Sequence, residues 1–385
     1  MTFNAARSAL IFSLFISTQA VAAIPSKSIV VNDPNPPVRV RLKGIQSSSI
    51  EIIGSKIKLG HRELTQNSIH ISRSENAWIA DLGSETYQFV GDSLPITGES
   101  LFVEKVFVPP AITLTAQKIN QRNSVDVIAI LPLESYLEGV VAEEIPKSWP
   151  HEAQKAQAIA ARTFTINKLK ERHKSSFDVE ATVMDQVFKY RKYESLSSSQ
   201  KAVRETRGEY VANSLGIIEP IFYHASCGGA TDGADKVFSQ PVSKAARSNT
   251  VKDSCSLNTK TTWQAEISKS ELKRAAGIST WAEILEIKAE QLSLGGRTVK
   301  LAFNTTEGKQ IISGERLRSL IGYSRIKSTK FSIYREGDNF VFSGKGLGHG
   351  VGLCQWGARD LALKGKSARE ILSFYFPYLE VQKSI

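Results

Sequence analysis

Between residues 344 and 357 the chain sets glycine at positions 344, 346, 348, 350, 352 and 357, around a single histidine, His349. Glycine at every second position strips one face of a strand and raises the entropy cost of any regular element. The stretch therefore has to be a tightly wound loop held by a scaffold from elsewhere in the chain. So much glycine lets backbone approach a ligand or a neighbouring segment closely. The spacing is not that of a phosphate-cradling G-x-x-x-x-G-K-[ST] loop. Two readings remain open. Either His349 and Gln355 are polar contacts in a cleft, or the loop is a structural turn whose histidine satisfies backbone groups.

Upstream, Leu133, Tyr136, Leu137, Val140 and Val141 fall on one apolar helical stripe. Pro146 disfavours the α conformation at Ile145, so this helix is expected to stop near Glu144. A second helix should follow at once, with Ser148 as its N-cap and Pro150 in its first turn. Its stripe is Ala153, Ala156, Ala160 and Phe164, small enough to pack closely, which predicts a central position. Glu144 then lies at a helix end beside Ile145, Pro146 and Trp149. Apolar neighbours raise a glutamate above its reference pKa of about 4.3. A glutamate kept protonated near neutrality can protonate a leaving oxygen. The plainer alternative makes Glu143 and Glu144 solvated helix-end charges. Arg162 has two readings as well: held inside by a carboxylate, or bound to an acidic substrate.

At 385 residues, 41% hydrophobic and 23% charged, the chain is ordinary globular material with room for two or three domains. Its start reads as a secretory signal: Arg7, an apolar run over 8–16, then the small-residue pattern Ala20-Val21-Ala22-Ala23. The run is shorter than the ~20 residues that span a bilayer. Residues 1–23 are therefore expected to be removed, leaving a mature chain with no transmembrane span, exported to the periplasm or cell envelope. A net charge of +11 suits an anionic partner. Export turns that expectation away from nucleic acid and toward envelope polymers.

Residues 24–118 read as a β-rich accessory module. Segments 38–42 and 69–71 alternate apolar and polar residues, and Pro109-Pro110 is a plausible boundary. A further strand, 125–130, opens the remaining region, 119–385, which mixes strands and helices near 260–340. Capping boxes at Ser268-Lys269-Ser270-Glu271 and Ser367-Ala368-Arg369-Glu370 announce two helices, the second running toward Pro377. The fold class is α+β.

Three cysteines are too few for a disulfide-built scaffold or a four-thiolate zinc site. His224-x-x-Cys227 is half a zinc motif that lacks a second pair at close spacing. In an exported chain Cys227 and Cys255 are more simply a disulfide, which leaves Cys354 odd. Cys354 with His349 would make a nucleophile and its base. A small buried cysteine is the plainer reading.

In order, four segments resemble the SpoIID/LytB family, stage II sporulation protein D and its relatives. They are LPLESYLEGVVAEEIP at 131–146, EAQKAQAIAARTF at 152–164, SCGGAT at 226–231 and GLGHGVGLCQWGA at 346–358. The resemblance spans about residues 124–382 and is weakest near 260–340. It implies a peptidoglycan lytic transglycosylase. Such an enzyme cleaves between N-acetylmuramic acid and N-acetylglucosamine in strands stripped of peptides and leaves a 1,6-anhydro end. The glutamate that is catalytic in the family falls on Glu144. Arg162, Gln186, Ser226, Thr231, Gly348, His349 and Gln355 are the expected substrate contacts.

A hydrolase would need a second carboxylate, for which Glu134, Glu138, Glu143 and Asp185 are candidates. Some relatives hold zinc through a histidine and two cysteines. The matching positions here are His173, Val179 and Asp185, so no metal is expected there, and no cofactor. Cys354 stands where the family signature has serine, and Trp356 where it has tyrosine. Other relatives are amidase enhancers. The alternative function is therefore a non-catalytic module that binds glycan strands and recruits a cell-wall amidase. A Cys354/His349 acyl hydrolase is a more distant one.

Overall fold

A computed structural model describes residues 35–45, 49–119, 122–191, 197–238, 251, 255 and 261–384. The expected signal sequence lies outside them. The chain divides into two compact units.

One unit is built from residues 38–131 and 172–184. It is an eleven-stranded sheet. Its main order is Val179–Glu180, Pro37–Ile45, Arg122–Pro132, Ala111–Ile119, Ser93–Val103, Ser49–Leu59, Ser68–Arg73, Ala77–Asp81 and Thr86–Val90. Alternation sets which face is covered. Ile69 and Ile71 are fully buried while His70 between them is exposed, and Ile50, Ile52 and Trp78 join them inside. Val179–Glu180 runs parallel to Pro37–Ile45, pinned by Asp178, which accepts from the backbone and guanidinium of Arg39. Arg122–Pro132 pairs antiparallel with Ala111–Ile119, so the sheet continues to Leu131 and later takes in 172–184.

The other unit comprises residues 132–171 and 185–384 among those described. It holds eight helices: α1 (Leu133–Glu144), α2 (His151–Glu171), α3 (Ser198–Glu205), α4 (Ala234–Val237), α5 (Lys269–Ala276), α6 (Gly314–Ile321), α7 (Gln355–Leu363) and α8 (Ala368–Tyr375). With the strands, they make the α+β class expected. α1 stops where the proline requires: Ile145 is extended and its N–H closes on Val141. α2 begins at His151, two residues later than a Ser148 cap would start it. The Pro150 carbonyl, rather than the Ser148 side chain, meets the first orphan N–H groups, those of Ala153 and Gln154. Ala153, Ala156 and Ala160 are fully buried. The face they share admits Ala358 of α7 and Ile371 and Leu372 of α8 into one core.

Two short strands, Tyr223–His224 and Leu353–Cys354, pair in parallel and join two motifs that are far apart in sequence. The divergent stretch forms two three-stranded antiparallel sheets. One is Thr262–Ser268, Asn339–Lys345 and Phe331–Glu336; the other is Ile284–Leu292, Thr298–Thr305 and Gly308–Ser313. With α5 and α6 they enclose a second core around Ile267, Leu272, Phe303, Leu317 and Phe342. Ser268 caps α5, and Ser367 with Glu370 forms the full capping box of α8.

Candidate active site

Glu144 is the last residue of α1, half-buried where that helix breaks. Two donors reach its carboxylate. The Val187 N–H gives a 2.9 Å hydrogen bond to Oε1, and the Gln355 amide gives one of 3.0 Å to Oε2. Gln355 opens α7, immediately after the glycine loop, and its amide also lies 3.5 Å from Gln157 of α2. Three segments distant in sequence thus meet on one carboxylate. Burial pushes the Glu144 carboxyl above the usual range, against the pull of these two hydrogen bonds and of the neighbouring Tyr223 hydroxyl.

Its neighbour is tuned the other way. Burial acts on Glu143 too, but hydrogen bonds from Lys189, at 3.0 Å, and Arg191 outweigh it and hold the carboxyl low. The two adjacent carboxyls are thus shifted in opposite directions. Glu134 is paired with Arg162 and Glu138 with Arg204. Among the described residues no lysine or arginine pairs with Glu144. Asp185 is half-buried near the same place: its charge and that of Glu144 both raise Tyr136 and Tyr223, whose burial already holds them protonated.

Several expected substrate contacts turn inward instead. Arg162 is 1% exposed. Its guanidinium is spent on a fork to both oxygens of Glu134, at 2.8 and 2.7 Å, and on the Glu209 and Val203 carbonyls. This is the internal arrangement, with a carboxylate holding the guanidinium. Gln186 is also fully buried, accepting from Tyr136 and Thr165 and donating to the Ala161 carbonyl. Its role is to set the next residue, Val187, against Glu144. Thr231 exchanges hydrogen bonds with Val251, and Ser226, fully buried, directs its hydroxyl at Cys255. All of these side chains are buried.

The glycine loop is a structural turn that delivers one polar side chain to the site. At Gly350, with φ +79°, a Cβ would fall 1.9 Å from the Arg297 guanidinium carbon; at Gly352, one would meet the Phe222 carbonyl at 2.1 Å. Only glycine allows such close wrapping. Gly348 packs likewise on His224. His349 is internal in its bonding: Nε2 donates to the Tyr223 carbonyl at 3.0 Å and Nδ1 accepts from Val351. Burial, with the neighbouring His224, keeps it neutral. Cys354 is fully buried, and His349 has both nitrogens engaged elsewhere, so the acyl-hydrolase pair is not formed.

Sequence reasoning missed three features. Val187 contributes only its backbone, which has no residue signature. The Tyr223 hydroxyl is buried beside Glu144 and Gln186, yet only its neighbour His224 stands out in the sequence. Trp149 and Trp356 form a half-buried aromatic pair 5.0 Å apart, with the Arg359 guanidinium over both rings. Their positions five residues after Glu144 and one after Gln355 were the available clue. The expected disulfide partners, Cys227 and Cys255, have sulfurs 2.9 Å apart.

The helix-broken glutamate, the glycine turn and the parallel strand pair are contributed by separate stretches of the chain. The chain belongs to the SpoIID family. A model described as Stage II sporulation protein matches residues 121–212, and a domain of unknown function matches 238–352, over the divergent sheets. Stage II sporulation protein D of Bacillus subtilis is 30% identical over 275 residues, 66% of this chain and 75% of that protein. An uncharacterized protein of Brachyspira hyodysenteriae is 31% identical over 295 residues, 75% of this chain and 74% of its own length. The Amidase enhancer of Bacillus subtilis is 30% identical over 286 residues, 63% of this chain but 39% of that longer protein. No helix among the described residues is long and apolar enough to cross a membrane.

Proposed function

We propose that this chain is an exported lytic transglycosylase that cleaves peptidoglycan glycan strands, with Glu144 as the single acid and base. The observation that carries this reading is the opposition of Glu143 and Glu144. One is ion-paired and held low; the other is buried, raised and bonded only to neutral donors among the described residues. Protonated Glu144 gives its proton to the glycosidic oxygen as that oxygen leaves C1 of the muramyl ring. The ring's own C6 hydroxyl adds to C1 and passes its proton to the Glu144 carboxylate. One C–O bond breaks, one forms, and the enzyme ends with the proton it started with. The Val187 N–H and the Gln355 amide stabilise the carboxylate in the interval after its proton has left. Trp149 and Trp356 offer an aromatic face for sugar rings near the acid, and the overall charge of +11 suits the lactyl carboxylates of stripped strands.

Two observations favour other readings. A relative named Amidase enhancer supports a binding module that stimulates a cell-wall amidase. The charge of Asp185, felt by the same two tyrosines as Glu144, supports a hydrolase with a second carboxylate. A digest of purified, peptide-stripped strands with the chain and with Glu144→Gln, read by mass spectrometry, separates the three. Anhydro-muramyl ends from the unaltered protein alone are the expected result. Reducing ends abolished by Asp185→Asn would establish hydrolysis. No cleavage by either protein, with strand binding kept by both, would establish the amidase-recruiting module.

A further inference from the structure

The half motif His224-x-x-Cys227 finds its other half far along the chain. Parallel pairing of Tyr223–His224 with Leu353–Cys354 sets His224 directly opposite Cys354. One ligand atom from each of His224, Cys227 and Cys354 falls within 4.8 Å of the other two, all three residues being buried. The Cys255 sulfur lies 2.9 Å from that of Cys227 and is equally buried. We propose that these four residues form a closed structural zinc site, separate from the Glu144 carboxylate and from the His173 region.

Three features of the surroundings support a metal. First, the His224 ring is 4% exposed and donates through Nδ1 to the Val351 carbonyl at 3.0 Å, while Nε2 is buried with no hydrogen-bond partner. A carbonyl on Nδ1 and a bare Nε2 is the arrangement that orients metal-binding histidine. Second, the sulfurs sit where N–H groups point. Cys354 accepts from Cys227 and from Gly357 in the first turn of α7; Cys227 accepts from Gly229; Cys255 accepts from Gly229 and the Ser226 hydroxyl. Converging donors, one at a helix start, stabilise thiolate over thiol.

Third, the charge balances. Three thiolates and a neutral imidazole on a divalent ion carry one net negative charge. Arg297, 1% exposed, donates to the Cys227 carbonyl, and its charge together with that of Lys330 acts on these sulfurs. Tetrahedral bonds of about 2.0 Å to nitrogen and about 2.3 Å to sulfur set ligand–ligand edges of roughly 3.5–3.8 Å. That range lies between the 2.9 Å separating the Cys227 and Cys255 sulfurs and the 4.8 Å within which the His224, Cys227 and Cys354 ligand atoms lie. With four protein ligands there is no open position, so the ion holds structure and does no chemistry on substrate. Binding replaces the three thiol protons, which pass to solvent.

The same sulfurs have a rival fate, the Cys227–Cys255 disulfide. The test uses the whole chain, produced in zinc-supplemented medium and purified without reductant. Metal content is measured alongside alkylation of cysteines with and without a strong chelator. The expected result is about one zinc per chain, with all three cysteines unreactive until chelation and reactive after it. Cobalt substituted for zinc should show the intense absorption of a tetrahedral thiolate site. Cys354→Ser should lose most of the zinc; serine is itself a good N-cap, so α7 keeps its start. His224→Asn is the second variant and should weaken cobalt absorption while the thiols stay reduced. A chain without metal whose mass is lower by two hydrogens would overturn the proposal in favour of the disulfide. A metal-free chain with three alkylatable cysteines would overturn it as well.

Discussion

On the proposed mechanism Glu144 has to hold a proton when substrate arrives, and burial raises its pKa. Cleavage measured as kcat/KM should therefore fall as pH rises through that raised value. Gln355→Leu removes a donor that favours the ionised form, so the falling limb should move to higher pH while the rate drops. Glu143→Gln should change the rate only a few-fold. Linkage gives a second readout. A carboxyl raised on folding stabilises the fold fully below its unfolded pKa of about 4.3, and this contribution is lost as pH rises through the folded value. Glu144→Gln should thus raise the melting temperature near about pH 7 and leave it little changed near about pH 4. Arg162→Met leaves Glu134 charged and buried alone, which should cost about 3–5 kcal/mol in denaturant melts. At this scale the sequence singled out Glu144 and Gln355 from separate motifs, and the structure brings the two together. It left Arg162 open between an internal and a binding role, since burial decides between them and a residue's identity does not reveal which way it faces.

Elements act on the site through close packing. A Cβ on Gly139 of α1 would meet the Phe188 ring at 2.5 Å and the Lys189 carbonyl at 2.7 Å. Gly139→Ala should push back the segment that presents the Val187 N–H, costing about 1–3 kcal/mol of stability. It should also lower kcat at full substrate occupancy, which a strand-cleavage time course would show. By contrast, Ser367→Ala breaks only the α8 capping box and should cost about 1 kcal/mol in thermal unfolding. Its cleavage rate per folded molecule should not change. Helix ends were readable because caps and prolines act locally: Glu144, Ser268 and Ser367 all fall where their neighbours require. The start of α2 was misplaced because two residues near it, Ser148 and Pro150, carry competing signals. The parallel pairing of Tyr223–His224 with Leu353–Cys354 was invisible, since strands two residues long have no periodicity to read.

For the whole molecule, a surplus of 49 basic over 38 acidic side chains faces a proposed partner with regularly spaced carboxylates. Binding to stripped strands should weaken steadily with added salt in a sedimentation assay, since screening acts most on exposed charges. Neutral glycan lacking the lactyl group should show a much shallower dependence. The β-rich pattern of residues 38–42 and 69–71 was legible as alternation, but not how far its sheet reaches. The sheet recruits 172–184 after two helices have intervened, and no local signal announces such a return. The same separation in sequence has a consequence for the life of the chain. Glu144 leaves the ribosome long before Gln355, which bonds to it, and before Glu380–Lys383, which pairs with Glu209–Ala212. On the proposed mechanism, a chain that ends before Gln355 lacks one of the two donors to the Glu144 carboxylate, so the acid is assembled only when the last part of the sequence joins the first.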